Sequence, residues 1–139
     1  MQTTILRTPE ETIEYGRALS GTLNSGDVLA LCGELGAGKT HLVKGVAAGL
    51  GTECAVTSPT FTLIHEYRGG RIPLFHADWY RVEHEQELMK IGIDDYLADE
   101  GVMVVEWADK FPNALPAHTR WLKFRFLEDG SREVTERQV

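Results

Sequence analysis

Val28-Leu29-Ala30-Leu31-Cys32-Gly33-Glu34-Leu35-Gly36-Ala37-Gly38-Lys39-Thr40 is the stretch on which the fold turns. It opens with an unbroken apolar run, Val28 to Cys32, of the kind buried on both faces in a parallel sheet. Gly33 to Thr40 then satisfies G-x-x-x-x-G-K-[ST] in full. Lys39 to Leu50 carries Leu42, Val43, Val46, Ala47 and Leu50 at helical spacing, with Gly51 as a stop. Strand, glycine-rich loop and helix in that order predict a phosphate cradle. Glycines let successive N–H groups turn toward phosphate oxygens, and the helix aims its positive end at the same anion. Lys39 is expected to reach the β- and γ-phosphates, and Thr40 to place its hydroxyl on Mg²⁺. The predicted class is α/β, of the P-loop NTPase type: a mostly parallel central sheet flanked by helices, with antiparallel hairpin additions.

On the N-terminal side, Thr8-Pro9-Glu10-Glu11 reads as a capping box with proline at the first helical position, predicting a helix from Pro9 to Leu23. Beyond the cradle, Phe61, Leu63, His65 and Tyr67 alternate as a strand, and Gly69-Gly70 can turn the chain into Ile72-Pro73-Leu74-Phe75 as a hairpin partner. Glu83 to Ala98 reads as two short helices broken near Gly92, and Val102 to Val105 as a second fully apolar strand ending in Glu106. Leu122, Phe124 and Phe126 alternate with polar neighbours, Asp129-Gly130 supplies a turn, and Arg132 to Arg137 is the return strand.

A magnesium-binding acid is expected at the carboxyl end of a strand beside the loop strand, where Asp78 and Glu106 compete. The strand before Glu106 is purely apolar, whereas Pro73 and His76 suit an edge strand before Asp78. Glu106 is therefore assigned to the metal, directly or through water, and Asp78 to orienting or deprotonating the attacking water. Thr57, Ser58 and Thr60, around Pro59, could sense the γ-phosphate or simply make a turn. Arg81 could stabilise charge on a transferred phosphate or pair with Glu83.

The 139 residues are read as one domain, 1–139, with 42% hydrophobic and 25% charged residues, which excludes global disorder. A net charge of −7, from 14 Lys+Arg and 21 Asp+Glu, opposes unaided binding to nucleic acid. No apolar run approaches the ~20 residues of a membrane span. The N-terminus lacks a basic start and apolar stretch, so the expected location is cytoplasmic, and Cys32 and Cys54 are expected as buried free thiols. No Asn-Lys-x-Asp guanine-reading segment and no Leu-Ser-Gly-Gly-Gln signature occurs, so ATP is the expected nucleotide. Three functions compete: a partner-serving ATPase, a small-molecule P-loop kinase, and a nucleotide-gated binding module with negligible turnover.

Five blocks taken together are more specific than the loop alone. They are Gly33 to Thr40; Ser58-Pro59-Thr60-Phe61-Thr62-Leu63; His76-Ala77-Asp78-Trp79-Tyr80-Arg81; Ile91-Gly92-Ile93-Asp94-Asp95-Tyr96-Leu97; and Val105-Glu106-Trp107. In this order they closely resemble the TsaE (YjeE) family, over roughly half the chain. The resemblance implies an ATP hydrolase, slow without partner proteins, that acts in threonylcarbamoyladenosine modification of tRNA by binding and resetting a complex of TsaB-type and TsaD-type proteins. It implies that Gly33, Glu34, Leu35, Gly36, Ala37, Gly38, Lys39, Thr40 and His41 surround the phosphates, that Thr40 and Glu106 hold Mg²⁺, and that Lys39, Asp78 and Glu106 are catalytic. Positions near Thr8, Pro9 and Arg132 would hold the nucleotide from outside the loop. The chain departs from the family at His41, where a second threonine is common, and at Trp79, where a smaller apolar residue is usual. The segment Glu83 to Glu100, acidic but studded with Leu88, Met89 and Ile93, is expected to meet a basic face of the partner.

Overall fold

Period-two burial in the strands sorts the core into two layers, one on each face of a seven-stranded sheet. The structure, a computed structural model, describes residues 2–33, 38–52, 64–90, 92–98 and 100–138. The elements run β1 (Gln2–Leu6), α1 (Pro9–Ser20), β2 (Val28–Gly33), α2 (Lys39–Leu50), β3 (Ile64–Tyr67), β4 (Leu74–Asp78), α3 (Gln86–Lys90), α4 (Ile93–Ala98), β5 (Val102–Glu106), two short 3₁₀ turns (Ala108–Lys110 and Pro112–Ala114), β6 (Arg120–Phe126) and β7 (Arg132–Gln138). The strand order is β1-β7-β6-β2-β5-β4-β3. β2 pairs in parallel with β5 and β6, and β4 with β5; β3, β7 and β1 join antiparallel. The mixed α/β class expected from the sequence is thus what forms.

Leu29, Leu31, Val102, Val104 and Leu122 face α1 and α2, while Val28, Ala30, Met103 and Val105 face the layer with α3 and α4. The strand read as central is central, and no side chain from Val28 to Leu31 is exposed. α1 lies directly on α2: a Cβ at Gly16 would strike the Leu42 carbonyl oxygen, and one at Gly45 would strike the Ile13 carbonyl oxygen. Only glycine permits this backbone approach.

Thr8 Oγ1 accepts from the Glu11 N–H at 3.1 Å, and Glu11 Oε1 reaches back to the Arg7 N–H at 3.2 Å, one residue further than a strict capping box. The helix stops at Ser20, three residues short of the expected Leu23. Thr22 and Leu23 instead donate to Leu19 and Ser20 in a tightening turn. The turn is also held from a distance, because the Arg71 guanidinium donates to Ser20 O at 2.7 Å and to Leu23 O at 3.3 Å.

Two expectations need correction, and one strand was not expected. β4 is interior, between β5 and β3, because Pro73 lies just outside the strand, where its missing N–H costs no ladder bond and its carbonyl accepts from Val102 at 2.9 Å. β1 was unforeseen, since Gln2-Thr3-Thr4 is polar; it borders the sheet, where β-branched and polar residues suit a half-solvated strand. Cys32 is a free but only half-buried thiol, and Cys54 lies outside the described residues, as do Phe61 and Leu63 of the expected strand. Among the described residues no helix is long and apolar enough to cross a membrane.

Candidate functional site

Parallel pairing puts the carboxyl ends of β2, β5 and β4 side by side, and each ends in a residue picked from the sequence. Leu31 of β2 is in register with Glu106 of β5, and Glu106 with Asp78 of β4. The chain leaves β2 through Gly33 at φ +129°, where a Cβ would collide with the Phe124 carbonyl, so glycine is required. It enters α2 through Gly38 at φ +98°, with no side chain capping the helix. The first N–H groups of α2 are therefore left without side-chain caps.

Lys39 opens α2 and folds its side chain back so that Nζ donates to Gly33 O at 3.1 Å. The ammonium also sits 3.8 Å from the centre of the Trp107 ring, and only 4% of the residue is exposed. Burial pushes its pKa down, and the charges of Glu106 and Asp78 partly oppose that. Trp107 reaches over it because the backbone turns sharply after β5. Its φ of 60° is the one positive value at a non-glycine residue among those described, a conformation costing about 1–3 kcal/mol. Tyr80 packs against the same indole with its ring tilted by 44°, ring centres 5.0 Å apart.

The Thr40 hydroxyl donates to Glu106 Oε1 over 3.5 Å, a long contact that brings the two oxygens together. The other carboxylate oxygen, Oε2, lies 2.5 Å from His76 Nε2, with His76 fully buried. The second ring nitrogen of His76 has no hydrogen-bond partner among the described residues. Asp78 Oδ1 accepts from the Tyr80 N–H at 2.9 Å. Burial is the largest influence on Asp78 and pushes its pKa up; the Tyr80 N–H opposes this, the Glu106 charge adds to it, and His76 and Lys39 oppose it. The Trp79 N–H closes the floor by donating to Glu106 O at 3.1 Å.

Of the residues picked from the sequence, Gly33, Lys39, Thr40, Asp78 and Glu106 thus converge. Thr8 and Pro9 start α1, and Arg132 starts β7 in register with Leu6 and Phe126, so all three lie toward the same end of the sheet as Gly33. Arg132 donates to Gly130 O at 2.9 Å and stacks over Phe126. His41 is half-buried in the first turn of α2, with Nδ1 unpartnered, and Arg81 is exposed. Glu34, Leu35, Gly36, Ala37, Thr57, Ser58 and Thr60 lie outside the described residues. Sequence reading missed His76, taking it as a sign of an edge strand. The available signal was its spacing: His76 and Asp78 are two apart on a strand and share a face.

An ammonium, two carboxylates, a hydroxyl and an uncapped helix start at the carboxyl ends of the parallel strands suit a phosphate accompanied by a hard cation. Fold and site define an α/β protein with a seven-stranded mixed sheet, in which β2 and α2 flank the G-x-x-x-x-G-K-T sequence. The comparisons go further: residues 6–138 match the family model described as "Threonylcarbamoyl adenosine biosynthesis protein TsaE", and the chain belongs to that family. A tRNA threonylcarbamoyladenosine biosynthesis protein TsaE from Bacillus subtilis is 44% identical over 127 residues, 91% of this chain and 79% of that protein. The one from Treponema pallidum is 40% identical over 131 residues, 94% of this chain and 96% of that one. The crystal structure of Bacillus subtilis YdiB superposes with a TM-score of 0.84 at 37% identity, covering 97% of this chain and 83% of that one.

Proposed function

We propose that this chain is a P-loop ATPase that binds and hydrolyses MgATP in tRNA threonylcarbamoyladenosine biosynthesis, the process in its relatives' names. The observation that carries the reading is the convergence of Lys39, Thr40, Asp78 and Glu106 at the start of an uncapped helix. In this mechanism Lys39 leaves Gly33 O and the Trp107 ring for the β- and γ-phosphate oxygens, where the same buried charge is better matched. The uncapped N–H groups of α2 hold phosphate oxygens. Thr40 and Glu106 offer a hydroxyl and a carboxylate oxygen to Mg²⁺, a donor set such an ion accepts beside phosphate and water. Bound there, the ion would neutralise charge developing on the phosphates. Asp78, held by the Tyr80 N–H through one oxygen and with its proton affinity raised by burial, orients the attacking water and takes its proton.

The partners proposed are TsaD-type and TsaB-type proteins, in the cytoplasm. Their docking face would be the segment with exposed Glu83, Glu85, Asp94, Asp95 and Met89, which lies between the Asp78 and Glu106 strands. The test is hydrolysis of γ-labelled ATP with and without the partner complex. Label released as phosphate, faster with the complex, supports the reading; label on a metabolite replaces it with a kinase, and retained ATP with a nucleotide-gated module. Lys39→Ala is expected to lose about 3 kcal/mol of transition-state stabilisation, roughly a hundredfold in rate, while remaining folded.

A further inference from the structure

His76 is fully buried, yet it makes a single side-chain hydrogen bond, 2.5 Å from Nε2 to Glu106 Oε2. Its other nitrogen, Nδ1, meets no hydrogen-bond partner among the described residues, so the ring does not tie several polar core groups together there. A proton on Nε2 satisfies this geometry: it supplies the donor that a carboxylate needs and leaves Nδ1 as a lone pair instead of an orphaned N–H. The sheet explains the contact. In the parallel β4–β5 pair, His76 is in register with Val104 and Asp78 with Glu106, so His76 and Glu106 are diagonal neighbours on one face. With Oε2 occupied, the remaining oxygen, Oε1, is the one directed at the Thr40 hydroxyl.

We infer that His76 is a positioning residue, whose Nε2–H fixes the Glu106 carboxylate so that Oε1 and Thr40 Oγ1 present one cation site. This rests on the proposal that the site binds a nucleotide with Mg²⁺. A side chain that fixes a ligating carboxylate contributes through the ligand it orients, and its loss weakens metal affinity by about 10- to 100-fold. Among the described residues His76 bonds to Glu106 and Lys39 to Gly33 O, with no hydrogen bond between the two side chains, so metal-free nucleotide binding is expected not to depend on His76.

The test measures binding of a fluorescent ATP analogue across a Mg²⁺ series, and of Mn²⁺ by paramagnetic resonance with ADP present. His76→Phe keeps ring volume and removes the donor; His76→Gln can put an amide N–H near the Nε2 position, and His76→Asn is too short. Expected is a rise of about tenfold or more in the Mg²⁺ concentration for half-maximal binding in the Phe and Asn variants. Metal-free affinity should be unchanged, and most of the loss should be restored in the Gln variant. In a Glu106→Gln background, His76→Phe should add nothing further. Parent-like metal dependence in the Phe variant overturns the inference, as does an undiminished Phe effect in the Glu106→Gln background. If His76→Phe does not fold, the Gln and Asn pair decides: equal metal dependence in both overturns it. Parent protein indifferent to Mg²⁺ overturns the metal reading itself, a result distinct from a metal-dependent parent whose variants behave alike.

Discussion

On the face under α1 and α2, β4 carries Leu74, His76 and Asp78 while β5 carries Val102, Val104 and Glu106; on the opposite face the same strands carry Phe75 and Ala77, Met103 and Val105. One face changes from apolar to ionisable within two residues of the strand ends, and the other stays apolar throughout. The covering layers differ as well. α1 and α2, of 12 residues each, meet backbone to backbone through glycine, whereas the other layer is made of helices of five and six residues and two 3₁₀ turns. The candidate site residues His76, Asp78 and Glu106 thus lie under the layer whose helices meet backbone to backbone. The thinner layer carries exposed Glu83, Glu85, Asp94 and Asp95.

The sharpest way to break this contrast is to damage the apolar face alone. Phe75 is fully buried and meets Tyr96 edge-on at 5.3 Å, so Phe75→Ala should cost about 3–5 kcal/mol in urea unfolding. Nucleotide affinity of the folded fraction should change little. A variant that loses affinity in proportion to stability would show that the two faces are not separable. Gly45→Ala attacks the other layer: a methyl group driven into the Ile13 carbonyl should cost about 1–3 kcal/mol, and here nucleotide affinity should fall with it, because α2 must shift.

Asp78→Asn sharpens the contrast through pH. Burial raises the Asp78 pKa, so the folded state binds its proton more tightly than the unfolded chain does, and stability is lost as pH rises from the ordinary carboxylate range through the folded value. The asparagine variant escapes that loss. It should melt above the parent at neutral pH, with the gap closing as pH falls below the unfolded carboxylate value, while hydrolysis is slowed. A constant gap across pH would remove burial of charge as the cause.

The smallest stability effect is expected at the acidic face. Glu83→Lys with Glu85→Lys should change stability by less than about 0.5 kcal/mol. It should nevertheless weaken binding of the partner complex, with wild-type binding falling as salt rises. Glu87 is left unchanged in this test because its carboxylate accepts from the Glu83 and His84 N–H groups at 2.8 and 3.2 Å and so shapes the start of α3. Partner binding equal to the parent across a salt series would move the docking surface elsewhere.

What could be read from the chain alone was what local pattern encodes. The apolar run from Val28, the glycine-rich loop and the helix ending at Gly51 each declare themselves within a few residues, and so do the strand ending at Glu106 and the turn at Asp129-Gly130. What escaped depended on pairing. Pro73 and His76 look like edge residues until β3 is seen to cover that flank of β4, and β1 is weakly patterned because β7 pairs with it along only one side. The His76–Glu106 contact needs the register of two strands joined by two helices, which no local spacing contains. Lys39, Thr40, Asp78 and Glu106 were legible because strand ends and a motif position them; the Trp107 turn over Lys39 was not, because it takes an unusual backbone angle at a bulky residue.

Arg71 has a consequence for the order of assembly. It completes the last turn of α1 from 51 positions further along the chain, just ahead of β4, so that turn cannot be finished while β4 is still undocked. The start of α1 has its own Thr8 cap and can form early; its end must wait. Amide exchange should register the delay. In Arg71→Ala, the N–H groups of Thr22 and Leu23, which close that turn, should exchange faster, while that of Thr12, bonded to Thr8 O, keeps the parent's protection. One arginine thereby ties the end of α1 to the chain just ahead of β4, and the two stretches are expected to open together.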